Sequence, residues 1–128
     1  MAEELKYDWN GKIILIVEDN DNNFDLLKTF LKSTGATVLW ARDGDESVEM
    51  VRENGHIDLV LMDIQLPTVS GFDATREIRT LKTDIPIIAQ TAFAMVGDRE
   101  KSLDAGCDDY IAKPIRRRAF LDKLAKYL

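Results

Sequence analysis

Five short apolar runs punctuate the chain, at about Lys12–Val17, Thr37–Trp40, Ile57–Met62, Ile85–Gln90 and Asp109–Ala112. Most are nearly continuous rather than alternating, the pattern of strands covered on both faces, as in a parallel sheet. Thr37–Trp40 is the weakest and is expected at an edge. Helical patterns lie between the runs. Phe24, Leu27 and Leu31 recur at helical spacing, and Gly35 supplies a stop. Asp43 with Glu46 resembles a capping box that opens a helix carrying Val48 and Val51. Ala74, Ile78 and Leu81 make a third stripe, and Leu121, Leu124 and Leu128 a fifth. The fourth helix, about Val96–Ala105, is mostly charged between Val96 and Leu103; it gains little from burial and is expected among the more mobile elements. This alternation predicts an α/β doubly wound sheet of five parallel strands with five helices, whose ligands lie beyond the carboxyl ends of the strands.

Length and composition narrow the picture without changing it. A chain of 128 residues, 45% hydrophobic and 31% charged, fits one globular domain. Residues 1–10 are polar, with isolated Tyr7 and Trp9, and read as a linker or tag remnant; residues 11–128 form the domain. A net charge of −6 argues against direct nucleic-acid binding. The run Arg116–Arg118 reads as a solvated helix face. The lone Cys107 excludes an internal disulfide, and its acidic neighbours do not favour a thiolate. No apolar run approaches the ~20 residues of a membrane span, so no membrane contact and a cytoplasmic location are expected.

The chemistry lies where the strands end. IILIV stops at Glu18-Asp19, IDLVLM at Asp63, IPIIAQ at Thr91 and YIA at Lys113-Pro114. Parallel strands ending on one edge would gather three carboxylates, a hydroxyl and an ammonium. Magnesium prefers oxygen ligands, one or two carboxylates among them. Asp19 and Asp63 are the proposed ligands, with Glu18 acting directly or through water. The side chains sum to −2, so Mg2+ would bring the site near neutrality. Asp63 is the candidate nucleophile, since a carboxylate can attack phosphorus to form an acyl phosphate. Phosphoryl transfer is dominated by alignment and electrostatics, and Mg2+, Lys113 and Thr91 would each cover one equatorial oxygen. Small Ala92 would leave the group accessible, and a cis bond before Pro114 would aim the ammonium into the site. Pro67 and Gly71 bracket a loop, Gln65–Ser70, that could lend the metal a backbone carbonyl, with that of Gln65 the candidate. Taken singly, each residue has a bland reading: a helix-capping acid, a surface lysine, a strand threonine. Their joint placement at strand ends is what argues for a site. His56 falls at the opposite end of its strand from Asp63 and reads as a surface residue.

VEDN at Val17–Asn20, LMDIQLPTVSGFD at Leu61–Asp73, TAFA at Thr91–Ala94 and AGCDDYIAKPI at Ala105–Ile115 resemble the receiver domain of two-component response regulators. The resemblance spans about Lys12 to Leu128. It implies a flavodoxin-like sheet of strand order 2-1-3-4-5. It also implies phosphotransfer from a histidine kinase or histidine phosphotransfer protein onto Asp63, with Glu18, Asp19 and the Gln65 carbonyl around Mg2+. Thr91 and Tyr110 become the switch pair, acting on the surface around helix 4, strand 5 and helix 5, and a phosphorylation-dependent homodimer is among the implied outcomes. Gln65 and Phe93 occupy positions that influence dephosphorylation in this family, and an aromatic Phe93 predicts a long-lived phospho-form. The wording of the motifs, the WNGK stretch at Trp9–Lys12 and the close at Leu128 resemble the C-terminal receiver of a hybrid sensor histidine kinase more than a free-standing regulator.

Other functions fit less well. An aspartyl phosphatase wants a general acid two residues after its nucleophile, where this chain has Gln65. A flavodoxin-type cofactor binder wants a Gly/Ser/Thr-rich phosphate loop after the first strand. A phosphorylation-independent interaction domain would have no need of the whole set Glu18, Asp19, Asp63, Thr91 and Lys113. The expectation is therefore a signalling phosphoacceptor rather than a metabolic enzyme.

Overall fold

A computed structural model describes residues 7–66, 69–81, 84–92 and 96–128. The elements run β1 (Ile13–Val17), α1 (Asp21–Leu31), β2 (Thr37–Ala41), α2 (Gly44–Glu53), β3 (Leu59–Asp63), α3 (Gly71–Leu81), β4 (Ile87–Thr91), α4 (Val96–Ala105), β5 (Asp109–Ala112) and α5 (Arg117–Ala125). The strands form one parallel sheet of order β2-β1-β3-β4-β5. This is the expected flavodoxin-like doubly wound architecture, with the weak run β2 at an edge.

The unbroken apolar runs are explained by two cores, one on each face of the sheet. Leu15, Val17, Val60, Met62, Ile87 and Ala89 meet Val48 and Val51 of α2 and Ala74 and Ile78 of α3. Ile14, Ile16, Leu59, Leu61 and Ile88 meet Phe24, Leu27 and Leu31 of α1 and Phe120, Leu121 and Leu124 of α5. Successive side chains of a strand point to opposite faces, so both parities must be apolar. Each fully buried Leu or Ile contributes about 1.5–3 kcal/mol relative to exposure.

Local signals place the helices. Asn20 caps α1 by accepting from the Asn23 amide at 3.0 Å. Asp43 caps α2 by accepting from the Glu46 amide at 2.8 Å, while Glu46 reaches back to the Arg42 amide at 3.1 Å. After α1 the chain makes a 3-10 turn, Lys32–Thr34, and Gly35 ends it at φ 80°. That left-handed backbone favours glycine, and a Cβ there would stand 2.2 Å from the Asn10 side-chain oxygen.

Several details depart from the periodicity. β3 and β4 each begin two residues later than the apolar runs and end on Asp63 and Thr91 themselves. Leu81 is 39% exposed, Leu128 lies beyond α5, and Phe120 carries much of that helix's burial. The stretch read as a linker packs onto the domain. Trp9 is 6% exposed within the α1/α5 core, its amide donates to the Thr34 carbonyl at 2.7 Å, and Tyr7 stacks on its ring. The Tyr7 hydroxyl donates to Asp122 at 2.7 Å. No helix among the described residues is long and apolar enough to cross a membrane.

Candidate functional site

The chain reverses its direction of strand addition between β1 and β3, which opens a crevice at their carboxyl ends. Backbone bonds that continue the ladders hold the loops there. The Glu18 amide donates to the Ala41 carbonyl at 2.9 Å, Ile64 to Gln90 at 3.1 Å, and Lys113 to Thr91 at 2.7 Å. The expected residues are thus carried by the last rungs of four strands.

Glu18, Asp19 and Asp63 each turn a carboxylate oxygen to one point, all within 4.8 Å of one another. Glu18 and Asp63 are buried and Asp19 is exposed. Lys113, 22% exposed, sets its ammonium 3.3 Å from Asp63 Oδ2 and 3.5 Å from Glu18 Oε1. The peptide bond between Lys113 and Pro114 is cis. The Gln65 amide donates to Asp63 Oδ1 at 2.9 Å, and the Asn20 amide to Glu18 Oε2 at 3.2 Å. Thr91 is buried at the end of β4, beside Asp63's own strand, and Ala92 after it is exposed. Burial, and next the Asp63 charge, raise the Glu18 carboxyl from 4.5 to about 7, while Lys113 and the Asn20 amide pull it back.

Tyr110 lies on β5, half-buried and in register with Ala89. Phe93 and Pro67 lie outside the described residues. His56 is exposed in the turn that leads to β3, remote along that strand from Asp63. Cys107 is buried against Thr75, and burial pushes its thiol up, a packing cause that disfavours the thiolate beyond the acidic neighbours.

Periodicity alone did not reveal three features around the site. The Trp40 indole donates to the Glu18 carbonyl at 2.8 Å, and its ring stacks on Phe24 at 3.8 Å. Gly71 lets α3 start directly against the strand that carries Asp63, since a Cβ there would stand 2.2 Å from the Asp63 carbonyl oxygen. Gln90 is fully buried on β4, its amide without a partner among the described residues. The only hint of the second was Gly71 opening a helix, where glycine is a poor former.

Fold and site together define a doubly wound α/β domain with an acidic crevice at its switch point, whose three carboxylates are only partly offset by one lysine. The profile of the response regulator receiver domain matches residues 14–125. The polar-differentiation response regulator DivK of Brucella ovis is 43% identical over 122 residues, covering 91% of this chain and 96% of DivK. Among solved structures, the receiver domain of sensor histidine kinase PA1611 from Pseudomonas aeruginosa superposes with a TM-score of 0.84 at 41% identity, covering 91% of this chain and 97% of that one. That structure holds a magnesium ion in its active site cleft. The Saccharomyces cerevisiae complex of the histidine phosphotransfer protein Ypd1 with the receiver domain of Ssk1 matches with a TM-score of 0.86 at 30% identity, covering 97% of this chain and 91% of that one. The chain belongs to the response regulator receiver domain family, the receivers of two-component signalling.

Proposed function

We propose that this domain, residues 11–128 with Tyr7–Asn10 docked on it, accepts a phosphoryl group from phosphohistidine onto Asp63 and converts the event into a change of surface. The observation that carries the reading is a buried carboxylate, Asp63, with an ammonium at 3.3 Å and two further carboxylates converging on it. An Asp63 oxygen attacks phosphorus, the phosphorus–nitrogen bond breaks, and its electron pair stays on the imidazole of the donor, which takes up a proton from solvent. Lys113 and the Thr91 hydroxyl neutralise phosphoryl oxygens, and the Gln65 amide orients the second Asp63 oxygen.

Glu18, Asp19, Asp63 and the Gln65 carbonyl would hold Mg2+. The donor set fits, because its side chains are all carboxylates and carry an excess charge of −2 over Lys113. The ion, when bound, supplies charge neutralisation for the incoming phosphoryl group. The PA1611 receiver, with magnesium in its cleft, supports this choice.

The donor is a histidine kinase or a histidine phosphotransfer protein, a class supported by the Ypd1–Ssk1 complex and the same for a receiver within a hybrid kinase and a free-standing one. Thr91, drawn toward the phosphoryl group, and Tyr110, turning inward, would shift the surface of α4, β5 and α5, to an extent bounded by their differential interactions in the two states. Intact mass after incubation with Mg2+ and acetyl phosphate tests the chemistry. One hydroxylamine-labile phosphoryl group is expected, dependent on Mg2+ and absent in Asp63→Asn. A gain that persists in the variant would reject Asp63 as the acceptor.

A further inference from the structure

Two cations from different helices approach the Tyr110 ring. Its centroid is 5.9 Å from the guanidinium carbon of Arg99 on α4 and 5.4 Å from the ammonium nitrogen of Lys123 on α5. Both fall within the reach of about 6 Å over which a cation is attracted to an aromatic face.

The two are held differently. Lys123 also donates to Asp109 Oδ1 at 3.2 Å and to the Tyr110 carbonyl at 2.9 Å, which ties it to β5 itself. Asp109 in turn accepts from the Tyr110 amide at 2.8 Å and the Tyr127 hydroxyl at 3.0 Å. Lys123 is therefore a fixed wall. Arg99 is exposed and reaches the ring from α4, a helix whose Leu103 is 43% exposed. Its distance from the ring depends on where α4 sits.

We propose that Arg99 and Lys123 form a two-cation clasp that holds the Tyr110 ring at the α4–α5 edge and so sets the resting bias of the switch. The inference rests on the reading of Thr91 and Tyr110 as the switch pair. A ring that turns inward leaves both cations, and a contact of this kind at an exposed site changes an equilibrium about two- to five-fold. Arg99 is thus a positioning residue: it touches no phosphoryl group, yet it tunes how far the unphosphorylated domain already samples the switched surface.

The test is carbon-13 NMR of the full chain labelled on the tyrosine rings, with the Tyr110 signal assigned by Tyr110→Phe. Mg2+ with beryllofluoride, an aspartyl-phosphate mimic, marks the switched position. Without the mimic, Arg99→Ala is expected to move the Tyr110 signal toward that position by a two- to five-fold population change. Arg99→Lys should return it, and Tyr7 should stay put. If the wild-type signal moves with the mimic but Arg99→Ala leaves the resting position unchanged, or Arg99→Lys shifts it as far as Arg99→Ala, the clasp is wrong while the switch survives. If the wild-type Tyr110 signal does not respond to the mimic, the switch reading falls and the clasp with it.

Discussion

Replacing Glu18 by Gln should stabilise the metal-free domain at alkaline pH and lose that advantage in acid. Glu18 is wholly buried, and its carboxyl is raised from 4.5 to about 7, first by burial and then by Asp63. Because the folded pKa lies above the unfolded one, the folded chain binds the extra proton between 4.5 and about 7. Stability from this group therefore falls as pH rises through that window. At about 1.4 kcal/mol per pH unit, the displacement corresponds to on the order of 3 kcal/mol. Glutamine keeps one acceptor where the carboxylate had two, serving the Asn20 amide and Lys113, and forfeits about 1 kcal/mol. The net gain is about 2 kcal/mol above neutrality. For 128 residues that is a rise in Tm of about 8 °C, taking about 4 °C per kcal/mol. Calorimetry with EDTA at about pH 8 and about pH 5 reads it. The gain should vanish at the lower pH and reverse at the higher one once Mg2+ is added, since the cation rewards the charge. A difference in Tm that is the same at both pH values would refute the electrostatic origin assigned to it.

Three further substitutions probe the packing around the site and in the core. Gly71→Ala places a Cβ 2.2 Å from the Asp63 carbonyl oxygen and 2.7 Å from the Ile64 Cα, both backbone, and should cost about 2 kcal/mol or more in urea unfolding. It should also slow labelling by acetyl phosphate, and unchanged labelling would show that the loop absorbs the methyl group. Gln90→Leu removes a buried, unpartnered amide and should add about 1 kcal/mol; no gain would mean that ordered water in the adjoining cavity of about 130 Å3 already satisfies it. Trp9→Ala should cost about 3–5 kcal/mol, where a linker residue would cost nothing measurable by the same assay.

The centre of the sheet was legible because parallel strands buried on both faces must be apolar at nearly every position, a signal strong enough to find β1, β3 and β4 without tertiary information. The edge strands β2 and β5 are only partly buried and gave weaker runs. The site was legible for a related reason. A doubly wound sheet gathers its strand ends, so Glu18, Asp19, Asp63, Thr91 and Lys113 could be grouped from their place after apolar runs. Boundaries were less legible: Asp63 and Thr91 close their strands as ladder members because neighbouring strands set the register, which composition does not encode. Trp9 was obscured by its polar neighbours, and its burial comes from α1 and α5, remote in sequence. Gln90 within an apolar run gave no sign of being buried without a partner, and the roles of Trp40 and Arg99 are purely tertiary contacts. Arg79 belongs with them: it reaches from α3 to the Gly106 and Ile85 carbonyls and to Asp108, pinning the approach to β5.

Trp40 gives the molecule one further property. Its indole N–H donates to the carbonyl of Glu18, its ring lies 3.8 Å from Phe24, and Arg42 stands 4.0 Å from its centroid. An indole's emission responds to nearby charge, and this one is bonded to the residue that begins the acidic pair. The domain therefore carries its own optical gauge of the crevice. The chain has two tryptophans, so with Trp9 replaced by phenylalanine all remaining indole emission comes from Trp40. On the proposed function, Mg2+ binding and phosphorylation of Asp63 should each change that emission, readable in real time in an unlabelled protein.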